Sequence, residues 1–189
     1  MRKLAFILVP LLFLACERDP AAPAGVVAAD VVIHQGTGSW DIYVYDVKTG
    51  TATQASSISG ADEWNPSFSN DGRSIVHEAI GFGFSSFALY VTQIATGVSA
   101  PLVGGEGGND ADWSPTGRFI AFDGSWGDPN LYVVPASGGT RRLVRANAMD
   151  PQWGLDDHQL VFRDNSDWSV RTIDVRSGSE HVVAEFGLG

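Results

Sequence analysis

The sequence predicts an all-β chain folded as a β-propeller of about four blades, and three observations carry that prediction. One phrase is written three times, as NPSFSNDGRSIVHE from Asn65 to Glu78, DADWSPTGRFIAFD from Asp110 to Asp123, and DPQWGLDDHQLVFR from Asp150 to Arg163. A second phrase is written four times, as DIYVYDVKTG from Asp41, ALYVTQIATG from Ala88, NLYVVPASGG from Asn130 and SVRTIDVRSG from Ser169. The 189 residues include 22 glycines and 6 tryptophans against only 12 lysines and arginines, a balance that favours a turn-rich, aromatic-packed sheet protein over a helical one. Almost no helix is expected.

The N-terminus comes first. MRKLAFILVPLLFLAC, from Met1 to Cys16, joins two basic residues to an apolar run from Leu4 to Leu14 that ends at a small residue and a cysteine. The run is too short for ~30 Å of hydrocarbon, so it reads as a secretory signal. Leu14, Ala15 and Cys16 resemble the end of a bacterial lipobox, with Phe13 standing where leucine is usual. That resemblance implies cleavage after residue 15 and lipidation of Cys16; the alternative is a secreted protein cut near Ala22 or Ala24. Cys16 is the sole cysteine, which excludes a disulfide or a multi-thiolate metal site. Residues 16–29 then read as the lipidated cysteine and a Pro/Ala-rich tether. Loss of Arg2 and Lys3 with the signal moves the net charge from −10 to −12, a balance that argues against a nucleic-acid partner.

Residues 30–189 form the repeat domain, in units of about 30–59, 60–104, 105–145 and 146–184. The three copies of the first phrase superimpose without a gap: Phe68 to His77, Trp113 to Phe122 and Trp153 to Phe162 are each nine residues apart. Asn70, Asp71 and Gly72 in one copy and Pro115, Thr116 and Gly117 in the next supply turn chemistry between two short apolar runs, which makes each copy a β-hairpin. The third copy has Leu155, Asp156 and Asp157 there and should be the least regular. The second phrase alternates as a strand and ends on a turn glycine. Gly50, Gly97, Gly139 and Gly178 recur 47, 42 and 39 residues apart, and a period near 40 with four short strands per unit is that of a propeller blade. A single blade cannot bury both faces of its sheet, so blades must stack face to face.

Asx, Pro or Ala, x, aromatic, Ser, x, x, Gly, Arg, x, Ile, Ala, Phe, followed by Leu-Tyr-Val and Gly-Gly, resembles the TolB-like β-propeller repeat. The resemblance covers about residues 30 to 184. It implies the fold firmly and function loosely, because such propellers include protein-binding scaffolds, domains of serine peptidases and a few lyases. Family members usually have six or more blades. The first unit here begins at Val31–Gln35, aligned with the second strand of a blade, and is incomplete. The chain is therefore expected to be a truncated member, an open arc that pairs with another copy, or a ragged four-bladed ring.

One end of the blades should carry the variable chemistry. The Asx that enters the innermost strand is Asn65, Asp110 or Asp150, and the loop between the second and third strands holds Trp40, Trp126 or Trp168. With Asp62, Glu63 and Asp112 these residues make a candidate binding face of aromatics beside carboxylates, suited to a basic peptide segment, a sugar ring or a partner protein. The plainer role for the same residues is turn capping and packing between blades. His34 and His77 share one blade position and are weak metal candidates. Their counterparts Phe122 and Phe162 are core aromatics, and the pattern supplies no third ligand. There is no GxSxG elbow and no phosphate loop before a helix; no motif calls for a cofactor. The reading is a non-catalytic, protein-binding scaffold anchored in the bacterial cell envelope, periplasmic or at the outer membrane. Its expected partner is another envelope protein or peptide. The alternatives are a propeller-type polysaccharide lyase or other carbohydrate-active protein, and a fragment of a larger propeller.

Overall fold

The computed structural model describes residues 26–29, 39–81, 87–124 and 127–186. Fifteen strands form four antiparallel sheets, and no helix occurs among the described residues. The first sheet holds β1 (Val26–Ala29), β2 (Ile42–Asp46) and β3 (Thr51–Ser56). The second holds β4 (Ala61–Phe68), β5 (Ser74–Gly81), β6 (Ala88–Gln93) and β7 (Val98–Glu106). β8 (Gly108–Trp113), β9 (Phe119–Gly124), β10 (Asn130–Pro135) and β11 (Arg142–Ala146) make the third. β12 (Ala148–Trp153), β13 (Gln159–Asp164), β14 (Val170–Asp174) and β15 (Glu180–Ala184) make the fourth. Each is a meander whose neighbours in sequence are neighbours in the sheet. Among the described residues the first blade has three strands, and Val26–Ala29, read from the sequence as tether, pairs with β2 from Val26 opposite Asp46 to Ala29 opposite Tyr43. Val31–Gln35, read as its strand, lies outside the described residues.

The repeated hairpins close in a way their residues explain. Ser69 accepts the Ser74 amide on its hydroxyl at 2.9 Å, and Ser114 does the same for Phe119 at 3.1 Å. Gly72 and Gly117 take the left-handed backbone that the turn needs, with φ of 66° and 71°. The third hairpin lacks both devices. There Asp156 Oδ1 accepts the amides of His158 and Gln159, at 2.8 and 3.1 Å, so a side chain replaces the glycine turn.

The core lies between blades. Val76, Leu89 and Leu102 of the second blade meet Ala111, Ile120, Phe122 and Val134 of the third, with Trp113 and Tyr132 packed against them. Ala121, Leu131 and Val133 of the third meet Ala148, Leu160, Phe162, Ile173 and Val175 of the fourth, with Trp153 at the margin. Ile42 and Ala55 meet Ile75 in a smaller cluster, flanked by Phe68. Residues at even positions along a strand thus bury against one neighbour and odd positions against the other, which is why Ile75 and Val76 are both fully buried. Val161 aligns with Val76 and Ala121 but is only half-buried, because among the described residues no further blade covers its side of the fourth sheet. The described residues form successive blades and no closed ring.

Candidate functional site

Each innermost strand carries a β-bulge at the recurrent Asx. Asn65, Asp110 and Asp150 have φ of 47°, 46° and 55°. Register shifts fall at these positions, between Trp64 and Ser67, Asn109 and Asp112, and Met149 and Gln152. Asn and Asp tolerate the left-handed region better than other side chains with a Cβ, so the repetition has a conformational cause. The sequence reading placed these residues in the loop entering the strand; they sit inside it, where a bulge re-aims the side chain.

The residue after the buried His77, Phe122 or Phe162 is charged in every copy, namely Glu78, Asp123 or Arg163, and the bulge of one blade lies against that residue of the blade before it. Glu78 Oε1 accepts the Asp110 amide at 2.6 Å and the Asn65 side-chain amide at 2.9 Å. Asp123 Oδ2 accepts the Asp150 amide at 2.9 Å. Asn65 also donates to Asp110 Oδ1 at 3.0 Å, and Arg163 Nε donates to Asp150 Oδ2 at 2.6 Å. Asp110, Asp123 and Asp150 each bring a carboxylate oxygen within 4.8 Å of the other two.

The electrostatics follow from this crowding. Asp123 is fully buried, and burial, together with the charges of Asp110, Asp150 and Glu78, pushes its pKa up to about 8. Burial and then the Asp150 carboxylate also raise Asp110, while Arg163 pulls it back. The arrangement is short of positive charge and suits a bound cation or a cationic side chain.

The remaining predicted residues divide. Trp168 joins the cluster: its ring lies under the Arg163 guanidinium, 4.6 Å from centroid to Cζ, and its φ of 60° is strained for a bulky residue. Trp40 stands at the first blade, where its amide donates to Asp62 Oδ1 at 3.0 Å and its ring meets Trp64 edge-on at 6.1 Å. Trp64 in turn contacts Phe87 at 5.7 Å. These groups share one end of the blades, since Ala61 pairs with Gly81, Gly108 with Gly124 and Ala148 with Asp164. Asp112 is a clamp between blades, not part of an open face. It accepts from Ser67 at 3.1 Å and from the Trp153 amide at 2.8 Å, and burial raises it to about 6. Glu63 is 2% exposed and faces His77, with Nδ1 to Oε1 at 3.7 Å, so it offers nothing to a partner. His77 itself has no exposed surface; its Nε2 meets Thr92 Oγ1 at 2.8 Å and its Nδ1 the Glu78 carbonyl at 3.3 Å, which leaves no open nitrogen for a metal. His34, Trp126 and Cys16 lie outside the described residues.

Comparison with solved structures assigns the fold. A protein described as TolB from Agrobacterium tumefaciens superimposes with a TM-score of 0.71 at 21% identity, over 86% of this chain and 62% of that one. The fold is that of the TolB β-propellers. TolB from Acinetobacter baumannii matches at 0.66 and 22% identity, over 78% of this chain and 38% of that one. The TolB-like arc described here thus spans less than two thirds of either relative. An oligogalacturonate lyase in complex with manganese matches at 0.55 and 16% identity, over 75% and 39%. No family model matches the sequence, and no curated protein does.

Proposed function

We propose that this TolB-like propeller is a non-catalytic scaffold of the bacterial envelope that receives a basic segment of another envelope protein on its acidic, aromatic end. The observation that supports it most is the convergence of Glu78, Asp110, Asp123 and Asp150 on three adjacent blades, with Arg163 as the cation that pairs within it. Trp40, Trp64, Phe87 and Trp168 flank that charge with ring surface. Such an end attracts a cationic partner at long range and holds it by aromatic contact.

Binding to a basic envelope partner should weaken as salt rises, and the pair Asp110→Asn and Asp150→Asn should reduce it about tenfold while the urea midpoint, measured with chelator present, stays within error. Cross-linking from the Trp168 loop in cells, followed by affinity measurement on the purified pair, checks this. Unchanged affinity in the double variant overturns the placement. Metal-dependent cleavage of an acidic polysaccharide by the purified protein overturns the scaffold reading in favour of the lyase.

The anchor belongs to the same proposal. Cys16 carries lipid, the chain partitions with membranes in a bacterial host, and Cys16→Ser releases it to the soluble fraction. Metabolic labelling with a fatty acid that does not depend on Cys16 would instead indicate a secreted domain.

A further inference from the structure

The carboxylates of Asp110, Asp123 and Asp150 can be followed oxygen by oxygen. Asp110 Oδ1 is taken by Asn65, Asp150 Oδ2 by Arg163, and Asp123 Oδ2 by the Asp150 amide. That leaves one oxygen on each residue. On Asp123 it is Oδ1, which is buried and has no hydrogen-bond partner, in a side chain with no exposed surface. A buried carboxylate oxygen with nothing to accept from is costly, and a fold seldom retains one without an occupant for it. The three residues also bring oxygens within 4.8 Å of one another, a spacing that one ion in the middle satisfies.

We propose that Asp110, Asp123 and Asp150 form a binding site for a hard divalent cation of the calcium type at the junction of the third and fourth blades. Among the described residues the donor set is all oxygen, and such a set selects against zinc and copper. Asp150 is exposed, so water reaches the ion from that side and completes a coordination shell that three carboxylates leave open. The site is built rather than incidental. Two ligands stand on left-handed bulges whose amides are held by the carboxylates of the preceding blade, and the third stands on β9 between buried Phe122 and Gly124. The ion therefore ties β8 and β9 to β12, and its binding free energy adds to the stability of that blade junction. The site shares Asp110, Asp123 and Asp150 with the acidic end proposed above to receive a basic segment, so ion and segment compete for those carboxylates, while a titration with metal alone tests the ion site whether or not the partner exists.

The test uses the purified, chelator-treated soluble chain and the metals alone. Calorimetric titration with calcium should show one site, calcium should raise the melting temperature, and magnesium should do so less. Terbium bound in place of calcium should luminesce on tryptophan excitation, because Trp168 lies on the Arg163 that pairs with Asp150. Asp123→Asn keeps an oxygen for the Asp150 amide but removes the charge, and should weaken calcium about tenfold or more. Asp150→Asn, on the exposed side, should do the same and decides the matter if the buried variant does not fold. Asp174→Asn, a turn carboxylate at the other end of the fourth blade, should leave the titration unchanged. Absence of calcium and terbium binding at millimolar concentration overturns the proposal, as does binding that survives Asp150→Asn unaltered.

Discussion

Phe122→Ala should cost about 3–5 kcal/mol, the usual range for deleting a fully buried phenylalanine. Phe122 has no exposed surface and sits where Val76, Leu89 and Leu102 of the second blade meet Ile120 and Val134 of the third. Its ring stacks on Tyr132 at 5.6 Å, and its Cδ2 lies 2.8 Å from where a Cβ on Gly108 would be, so no neighbour can collapse into the space without moving a strand. Blades touch only adjacent blades, and stability in such an array is a sum of unit and junction terms. The loss should therefore concentrate at one junction. Urea unfolding followed by tryptophan fluorescence and by circular dichroism should give a lower midpoint and two transitions that no longer coincide. A single transition with an unchanged midpoint would contradict the packing described here.

Glu63→Gln should stabilise the protein, increasingly so as pH rises from 4.5 to 7. Glu63 Oε1 accepts from Ser56 at 2.5 Å, its Oε2 has no partner, and burial is the main reason its pKa rises from 4.5 to about 7. Below pH 4.5 the carboxyl is neutral in both folded and unfolded chains and costs nothing. Between 4.5 and 7 the unfolded chain gives up its proton while the folded one keeps it, so stability falls with rising pH by roughly 3 kcal/mol in all. His77 acts in the opposite sense. Burial lowers it from 6.5 to about 4, so the unfolded chain gains a proton first as pH falls, and stability is lost from pH 6.5 downward. The two slopes offset each other between 4.5 and 6.5, and the wild-type profile there should be nearly flat. In the variant only His77 remains of this pair. The difference in unfolding free energy between variant and wild type should then grow from near zero at pH 4.5 to roughly 3 kcal/mol at pH 8. A difference independent of pH would mean that Glu63 titrates as an ordinary exposed carboxylate.

These two positions show where sequence reasoning ended. Phe122 was legible as core because hairpin periodicity and turn chemistry are local: an aromatic, a serine, a glycine turn and an alternating apolar run specify a hairpin wherever they stand. The blade count and the incomplete first unit followed from counting such hairpins. Glu63 was misplaced onto a binding face, because in the sequence it stands beside Asp62 and Trp64 with nothing to say which side of the strand each occupies. Glu63 turns toward the first blade, where Ser56 donates to it beside His77 of its own sheet, while Asp62 accepts the Trp40 amide. Asp112 was misplaced for the same reason.

Glu78 and Asp123 had a signal that could have been used: each follows a core aromatic or histidine at the same place in its copy, and Arg163 follows Phe162. A charge recurring at the end of a buried strand is unusual enough to mark a shared location. What the amino-acid sequence alone determined is the repeat, the blades, the turn residues and the aromatic ladder between sheets, since each depends on neighbours within one hairpin. Only the tertiary structure decided that Asp110, Asp123 and Asp150 face one another, that Trp168 covers Arg163, and that His77 is closed to metal. The three aspartates are 13 to 40 positions apart on two blades, and the distances between them are set by the angle at which one sheet stacks on the next, while Trp168 and Arg163 meet because the turn between β13 and β14 folds the ring back over the strand.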